Sequence, residues 1–156
     1  MRLLGVHTNF VSFGMAKVSH NIFLSSEKHR AVDVPLVNYL LYCLSIELGL
    51  KAAILRVDNS KKRKSDLKYK IGHDLQKLLN DFEKCSLGEG VLNRADRTAL
   101  EAINPYYKKK GLEFISGELQ VALLKGMSDF PALSALRLTA LKVDELLEAN
   151  KFFIND

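Results

Sequence analysis

Residues 36–57 read LVNYLLYCLSIELGLKAAILRV, and this stretch decides the fold. Leu36, Leu40, Cys43, Leu44, Leu48, Ile54 and Leu55 include repeated three- and four-residue spacings, which gather them on one broad side of a helix. Tyr39, Leu41, Tyr42, Ile46 and Leu50 widen that apolar surface beyond what a single partner covers. The expectation is therefore a central helix touching at least two neighbouring helices or a second subunit. The charge-free run lasts only from Val34 to Ile46, short of the roughly 18 to 20 residues that cross a bilayer, which argues against a membrane span. Glu47 and Lys51 interrupt it four residues apart, acid first, the favourable order for a helical ion pair worth about 0.2–0.5 kcal/mol when exposed. A solvated face, a buried polar cluster and a binding or reaction site all fit that spacing.

Working outward, the 156 residues are 47% hydrophobic and 26% charged, the proportions of a soluble globular chain, and suit one domain over residues 1–156 with a proper core. Lysine and arginine exceed aspartate and glutamate by 23 to 18, a net charge of +5 that suits an acidic partner such as RNA and equally serves solubility. Cys43 and Cys85 form no CxxC, and Met1–His20 lacks a continuous apolar leader. Together these point to a reducing, cytoplasmic setting.

Before the central stretch, Asn9–Lys28 reads as a helix with either Phe13, Ala16, His20 and Phe23 or Val11, Met15, Val18 and Ile22 inward, and Gly14 is a point for close helix approach. His29–Asp33 breaks it, Pro35 suits the first turn of the central helix, and Asp33 offers a cap. After Asp58 and Asn59 comes a basic loop near residues 59–70, with Lys61, Lys62, Arg63, Lys64, Lys68 and Lys70 against a single Asp66. Such a run is a solvated, mobile loop or a phosphate-contacting one. Gly72 supplies a turn, His73 or Asp74 a helix start, and Leu75, Leu78, Leu79 and Phe82 an apolar face.

Residues 94–103 suggest a short helix closed by Asn104 and Pro105. In YYKKK, Tyr106 and Tyr107 beside Lys108, Lys109 and Lys110 form either an RNA-stacking patch or two anchors next to a solvated run. Leu112–Lys125, with Ile115 inward, reads as helical. A final helix starts with Ser128 or Asp129 as cap and Pro131 in its first turn. With five or six helices and no period-two strands, the fold expected is all-α, an antiparallel or irregular bundle.

No phosphate loop, dinucleotide fingerprint, zinc finger or HExxH occurs, so no cofactor is implied. His7, His20, His29 and His73 are too scattered for a local metal site. Pairing Ser19 or Ser45 with a distant histidine as a nucleophile would be arbitrary. The one combination with chemical promise is Glu47, Lys51, His73 and Asp74, which come together if the helix after Gly72 packs on the central one. Two carboxylates, a cation and an imidazole could move a proton or orient a phosphate in a cleft, or satisfy one another in the core.

Two segments carry a resemblance. YLLYCLSIELGLKAAIL (39–55), followed after a variable loop by KIGHDLQKLL (70–79), resembles the acid-and-lysine helix and the glycine-histidine-aspartate helix start of the HEPN superfamily. With the preceding helix the match spans about half the chain. The resemblance implies a small helical bundle, a homodimer, and association with a nucleotidyltransferase or a toxin–antitoxin system. In ribonuclease members it implies an arginine, four to six intervening residues and a histidine on a late helix. Here no histidine follows His73, so Arg94, Arg97 and Arg137 lack that partner. Arg2 and His7 have the spacing but precede the recognisable helices, a chance match. The expectation is a non-catalytic HEPN-like protein that dimerises and binds a protein or nucleic-acid partner. The alternatives are a metal-independent ribonuclease using His73 with Lys51 or the basic loop, and a structural subunit of a larger assembly.

Overall fold

Proline at a first helical position costs no hydrogen bond, and Pro35 opens the central helix there; the helix runs to Val57, just before Asp58 and Asn59. The computed structural model describes residues 4–28, 35–113 and 117–152. Among these, all regular structure is helical: α1 (Leu4–Lys28), α2 (Pro35–Val57), α3 (Lys61–Ser65), a π-helical segment (Asp66–Ile71), α4 (Leu75–Lys84), α5 (Arg94–Tyr107), α6 (Gly117–Leu124) and α7 (Leu133–Ala149). The protein is an all-α bundle. It has more helices than the five or six expected, because the basic run is itself helical.

Tyr42, Cys43, Ile46, Leu50 and Ala52–Leu55 are buried, and α2 packs against α1, α4 and α7. The breadth of its apolar surface is thus matched by three neighbours. Leu75, Leu78, Leu79 and Phe82 bury the face of α4 read from their spacing.

The inward seam of α1 follows the first of the two apolar stripes, with Ala16 and Phe23 buried, Phe13 packed on the core and His20 half-buried against Asp144, and serines widen it. Ser12, Ala16, Ser19, Phe23 and Ser26 are buried, while Val11 and Val18 are exposed. The serines work as small residues with a hydrogen bond to give. Ser12 Oγ donates to Ala52 O at 2.8 Å, Ser19 Oγ to Ser45 O at 2.7 Å, and Ser45 Oγ to Ser19 O at 3.0 Å. Each hydroxyl is satisfied by the facing backbone, so a polar seam can be buried without penalty. Gly49 lies at the same crossing, where a Cβ would stand 2.4 Å from Val143 Cγ1 and 3.0 Å from Ser19 Oγ. A Cβ at Gly14 would meet nothing, so Gly49 and not Gly14 is the point of close approach.

Three boundaries differ from expectation. α5 continues through Pro105 to Tyr107, because Tyr107 is buried and held at the core while the proline ring faces solvent. The described residues of 112–125 form one helix, the short α6, Gly117–Leu124. α7 starts at Leu133 with Ala132 before it and no side-chain cap from Ser128 or Asp129. The proposed cap Asp33, the break at 29–33, Ile115 and Arg2 lie outside the described residues.

Candidate functional site

Glu47 and Lys51 sit one turn apart on α2, on the side that meets the start of α4 and the end of α5. Lys51 Nζ donates to Glu47 Oε1 at 2.5 Å and to Gly72 O at 2.8 Å. The other carboxylate oxygen, Oε2, lies 2.9 Å from His73 Nδ1 and accepts from the Tyr107 hydroxyl at 2.5 Å. The Glu47 side chain is only 4% exposed and that of Lys51 11%, whereas His73 is 39% exposed at the rim. Gly72 makes this possible with φ +57°, a conformation that favours glycine, where the π-helical segment turns into α4.

Burial opposes the charge on Glu47. The Lys51 ammonium and the hydrogen bonds from Lys51, Tyr107 and His73 outweigh it and hold the carboxyl below its ordinary value. Burial first, then the adjacent Glu47 charge, pushes the Tyr107 phenol upward, so it stays a neutral donor. Glu47 is thus an ionised acceptor with both oxygens occupied. It ties α2, α4 and α5 together and has no proton to exchange at neutral pH.

Asp74, grouped with these residues on sequence grounds, does a different job. Its carboxylate caps α4 by accepting from Lys77 N at 3.2 Å, and it accepts from Asn104 Nδ2 at 3.1 Å. Asn104 Oδ1 in turn takes the N–H of Leu75 at 2.8 Å, fastening the start of α4 to α5. Burial would raise the carboxyl, but the Lys77 N–H and Asn104 outweigh it and depress it.

The basic stretch is ordered helix where a mobile loop was expected. Ser60 Oγ caps α3 by accepting from Arg63 N at 3.1 Å, Leu67 is buried, Arg63 pairs with Asp81 at 2.9 Å and Lys70 with Asp66 at 2.7 Å. These anchors offset the repulsion within the run. Lys61, Lys62, Lys64 and Lys68 form no ion pair among the described residues. Beside them Tyr69 is 74% exposed, with Lys68 Nζ 4.9 Å from its ring centroid.

Lys108, Lys109 and Lys110 are also exposed, but their tyrosines are not a stacking surface. Tyr107 is buried in the network, and Tyr106 packs on Phe130 with centroids 4.6 Å apart. A cleft of about 350 Å³ opens between α1, α2 and the basic segment; Lys51, Lys64, Lys68 and His73 line it together with apolar side chains, and Glu47 does not.

Other ionised groups brace the bundle. Arg137, the late-helix arginine, clasps Glu27 through Nε and Nη2 at 2.9–3.0 Å, and Glu27 also accepts from Tyr42. Asp96 completes a capping box with Asn93 and accepts from Thr139 at 2.8 Å and Lys142 at 2.6 Å. His20 lies 2.9 Å from Asp144, whose carboxyl is raised by burial against the pull of His20. No sequence motif pointed to Glu27 or Asp144, or to Glu47 as the partner of Tyr107, because these pairs are 60 to 124 residues apart. Tyr69 was not singled out from the sequence, although an aromatic inside a basic run is the signal that marks it.

Among the described residues there is no group of three side chains suited to a metal ion, and no helix long and apolar enough to cross a membrane. The chain matches no protein-family model, no curated protein and no solved structure. Its function is argued from its own residues.

Proposed function

We propose that this chain is a non-catalytic, HEPN-like helical protein that binds single-stranded RNA through α3 and the π-helical segment and acts as a homodimer. The observation that carries the reading is a contrast within one site. Glu47 is saturated by three side-chain donors and is not free to act as a base, while the adjoining surface offers four lysines and an exposed tyrosine. Lysines attract phosphates through counterion release, and an exposed ring stacks on any base. The absence of an arginine–histidine pair on a late helix agrees, since Arg137 is committed to Glu27. Association with a nucleotidyltransferase or an antitoxin belongs to the same proposal and is checked by what the neighbouring gene encodes.

Dimerisation is favoured by α6, where Val121, Leu123 and Leu124 are exposed while Leu119 and Ala122 are buried. A Leu124→Glu variant is expected to shift a dimer toward monomer in size-exclusion chromatography with light scattering. A wild-type chain that is monomeric at every concentration would remove this part of the proposal.

RNA binding is tested by fluorescence anisotropy with an unstructured oligonucleotide across a salt series. If Lys61, Lys62, Lys64 and Lys68 each meet a phosphate, log K falls with log salt at a slope near −3, from about −0.7 per contact on single strands. Reversing Lys61 and Lys62 to glutamate should weaken binding and flatten that slope. Unchanged affinity would refute the assignment.

A further inference from the structure

We infer that the cleft beside the basic segment holds one unpaired nucleotide, with its base against the apolar wall and its phosphate against Lys64, Lys68 and His73. This deepens the RNA reading and rests on it. The volume, about 350 Å³, falls at the lower end of small-molecule sites. Val11, Met15, Leu55 and Leu67 form an apolar wall, and no carboxylate lines the cleft, so its charge is wholly cationic. A hydrated inorganic anion would leave that wall wet, and a neutral apolar molecule would leave the lysines without a counter-charge. An anion with a flat apolar body satisfies both.

The lysines are held in place. Lys64 and Lys68 are four residues apart, and Leu67, buried on the same segment, anchors the turn that carries them. The π-type bond from Gly72 N to Leu67 O, 3.1 Å, fixes the same turn against His73. Lys51 reaches the cleft while committing two of its three N–H groups to Glu47 and Gly72. The closed network thereby serves binding by holding an ammonium and an imidazole at one wall. The lining has no Asn, Gln, Asp or Glu side chain to read a base edge, so purines and pyrimidines should be accepted alike. Tyr69, outside the cleft, is positioned to stack the next base of a strand.

The nucleotide could arrive free or as part of a strand. Calorimetric titration with adenosine and uridine 5′-monophosphates, ribose 5-phosphate and hexyl phosphate separates the chemistry. Anisotropy with single-stranded RNA separates the source. Both nucleotides should bind similarly, and ribose 5-phosphate at least roughly tenfold more weakly, the scale of burying one face of a base against an apolar wall. Met15→Trp, which fills the cleft, and Lys64→Glu, a change nearer the surface that keeps the inference testable if the first variant misfolds, should each abolish mononucleotide binding and weaken RNA. Tyr69→Ala should weaken RNA alone.

Mononucleotide binding without RNA binding would sustain the cleft, identify the free nucleotide as its ligand and overturn the RNA reading. RNA binding that ignores both cleft variants would leave that reading intact and overturn the cleft. Ribose 5-phosphate or hexyl phosphate binding as tightly as the nucleotides would also overturn it.

Discussion

Replacing Glu47 by glutamine tests whether the buried network is a fastening or a reaction site. The change keeps the shape and removes the charge. Lys51 Nζ then loses its 2.5 Å carboxylate partner and keeps only Gly72 O. If the amide nitrogen turns the other way, Lys51 keeps a neutral carbonyl partner, and His73 and Tyr107, which share the second oxygen, both face an amide where they had an acceptor. Removing one partner of a buried pair costs about 3–5 kcal/mol. Lys51 borders the cleft and can be partly relieved by water, so the lower end, about 3 kcal/mol, applies. For a domain of this size that is a drop in Tm of roughly 6–12 °C.

Thermal and urea unfolding followed by circular dichroism read this directly. The double variant Glu47→Gln/Lys51→Met should recover much of the loss, because replacing both members of a buried pair by uncharged groups is often close to neutral. The pH dependence has a definite sign. The folded Glu47 carboxyl lies below its ordinary value, so its contribution is fully present above the ordinary carboxylate range and is lost as pH falls through the depressed folded value. The gap between wild type and Glu47→Gln should therefore close in acid. Groups kept for catalysis commonly cost stability. A Glu47→Gln protein as stable as wild type, or more so, would refute the fastening role.

Two further outcomes follow from the packing and the second buried carboxylate. Gly49→Ala should destabilise by about 1–3 kcal/mol or more in urea unfolding, since its Cβ would meet Val143 and Ser19 at the α1–α2–α7 crossing; Gly14→Ala should not destabilise. Asp144 behaves oppositely to Glu47: burial raises its folded pKa despite His20, so its effect on stability worsens as pH rises from the unfolded to the folded value. Asp144→Asn should accordingly gain on wild type across that window, and a constant difference with pH would contradict the assignment.

How much of this was legible in the sequence depends on the range of the interaction that decides each feature. The α4 face was readable because burial there follows a three-to-four period in large apolar residues; on α2 the breadth of the surface was readable, but Tyr39, Tyr42, Ile46 and Leu50 are buried while Leu36, Leu40, Leu44 and Leu48 are half-buried. The serines of the α1 seam were not readable, since Ser12, Ser19 and Ser26 do not register on a hydropathy pattern, and the acceptors of Ser12 and Ser19 are carbonyls on another helix. The basic run looked like a loop because charge repulsion was visible, whereas the Ser60 cap, the Leu67 anchor and the Arg63–Asp81 pair that counter it were not weighed. Glu47, Lys51 and His73 were brought together correctly from their order and separation. Tyr107 was named beside its lysines but not joined to Glu47, because Pro105 suggested that α5 had already ended, and Asp74 was misgrouped because a cap and a site carboxylate look alike in sequence.

The measurement that bears most directly on the central claim is incubation of pure protein with structured and unstructured RNA, beside His73→Ala, with binding and cleavage followed in the same samples. The account predicts that wild type binds unstructured RNA in a salt-dependent manner and leaves it intact. Cleavage by wild type that His73→Ala abolishes would contradict it.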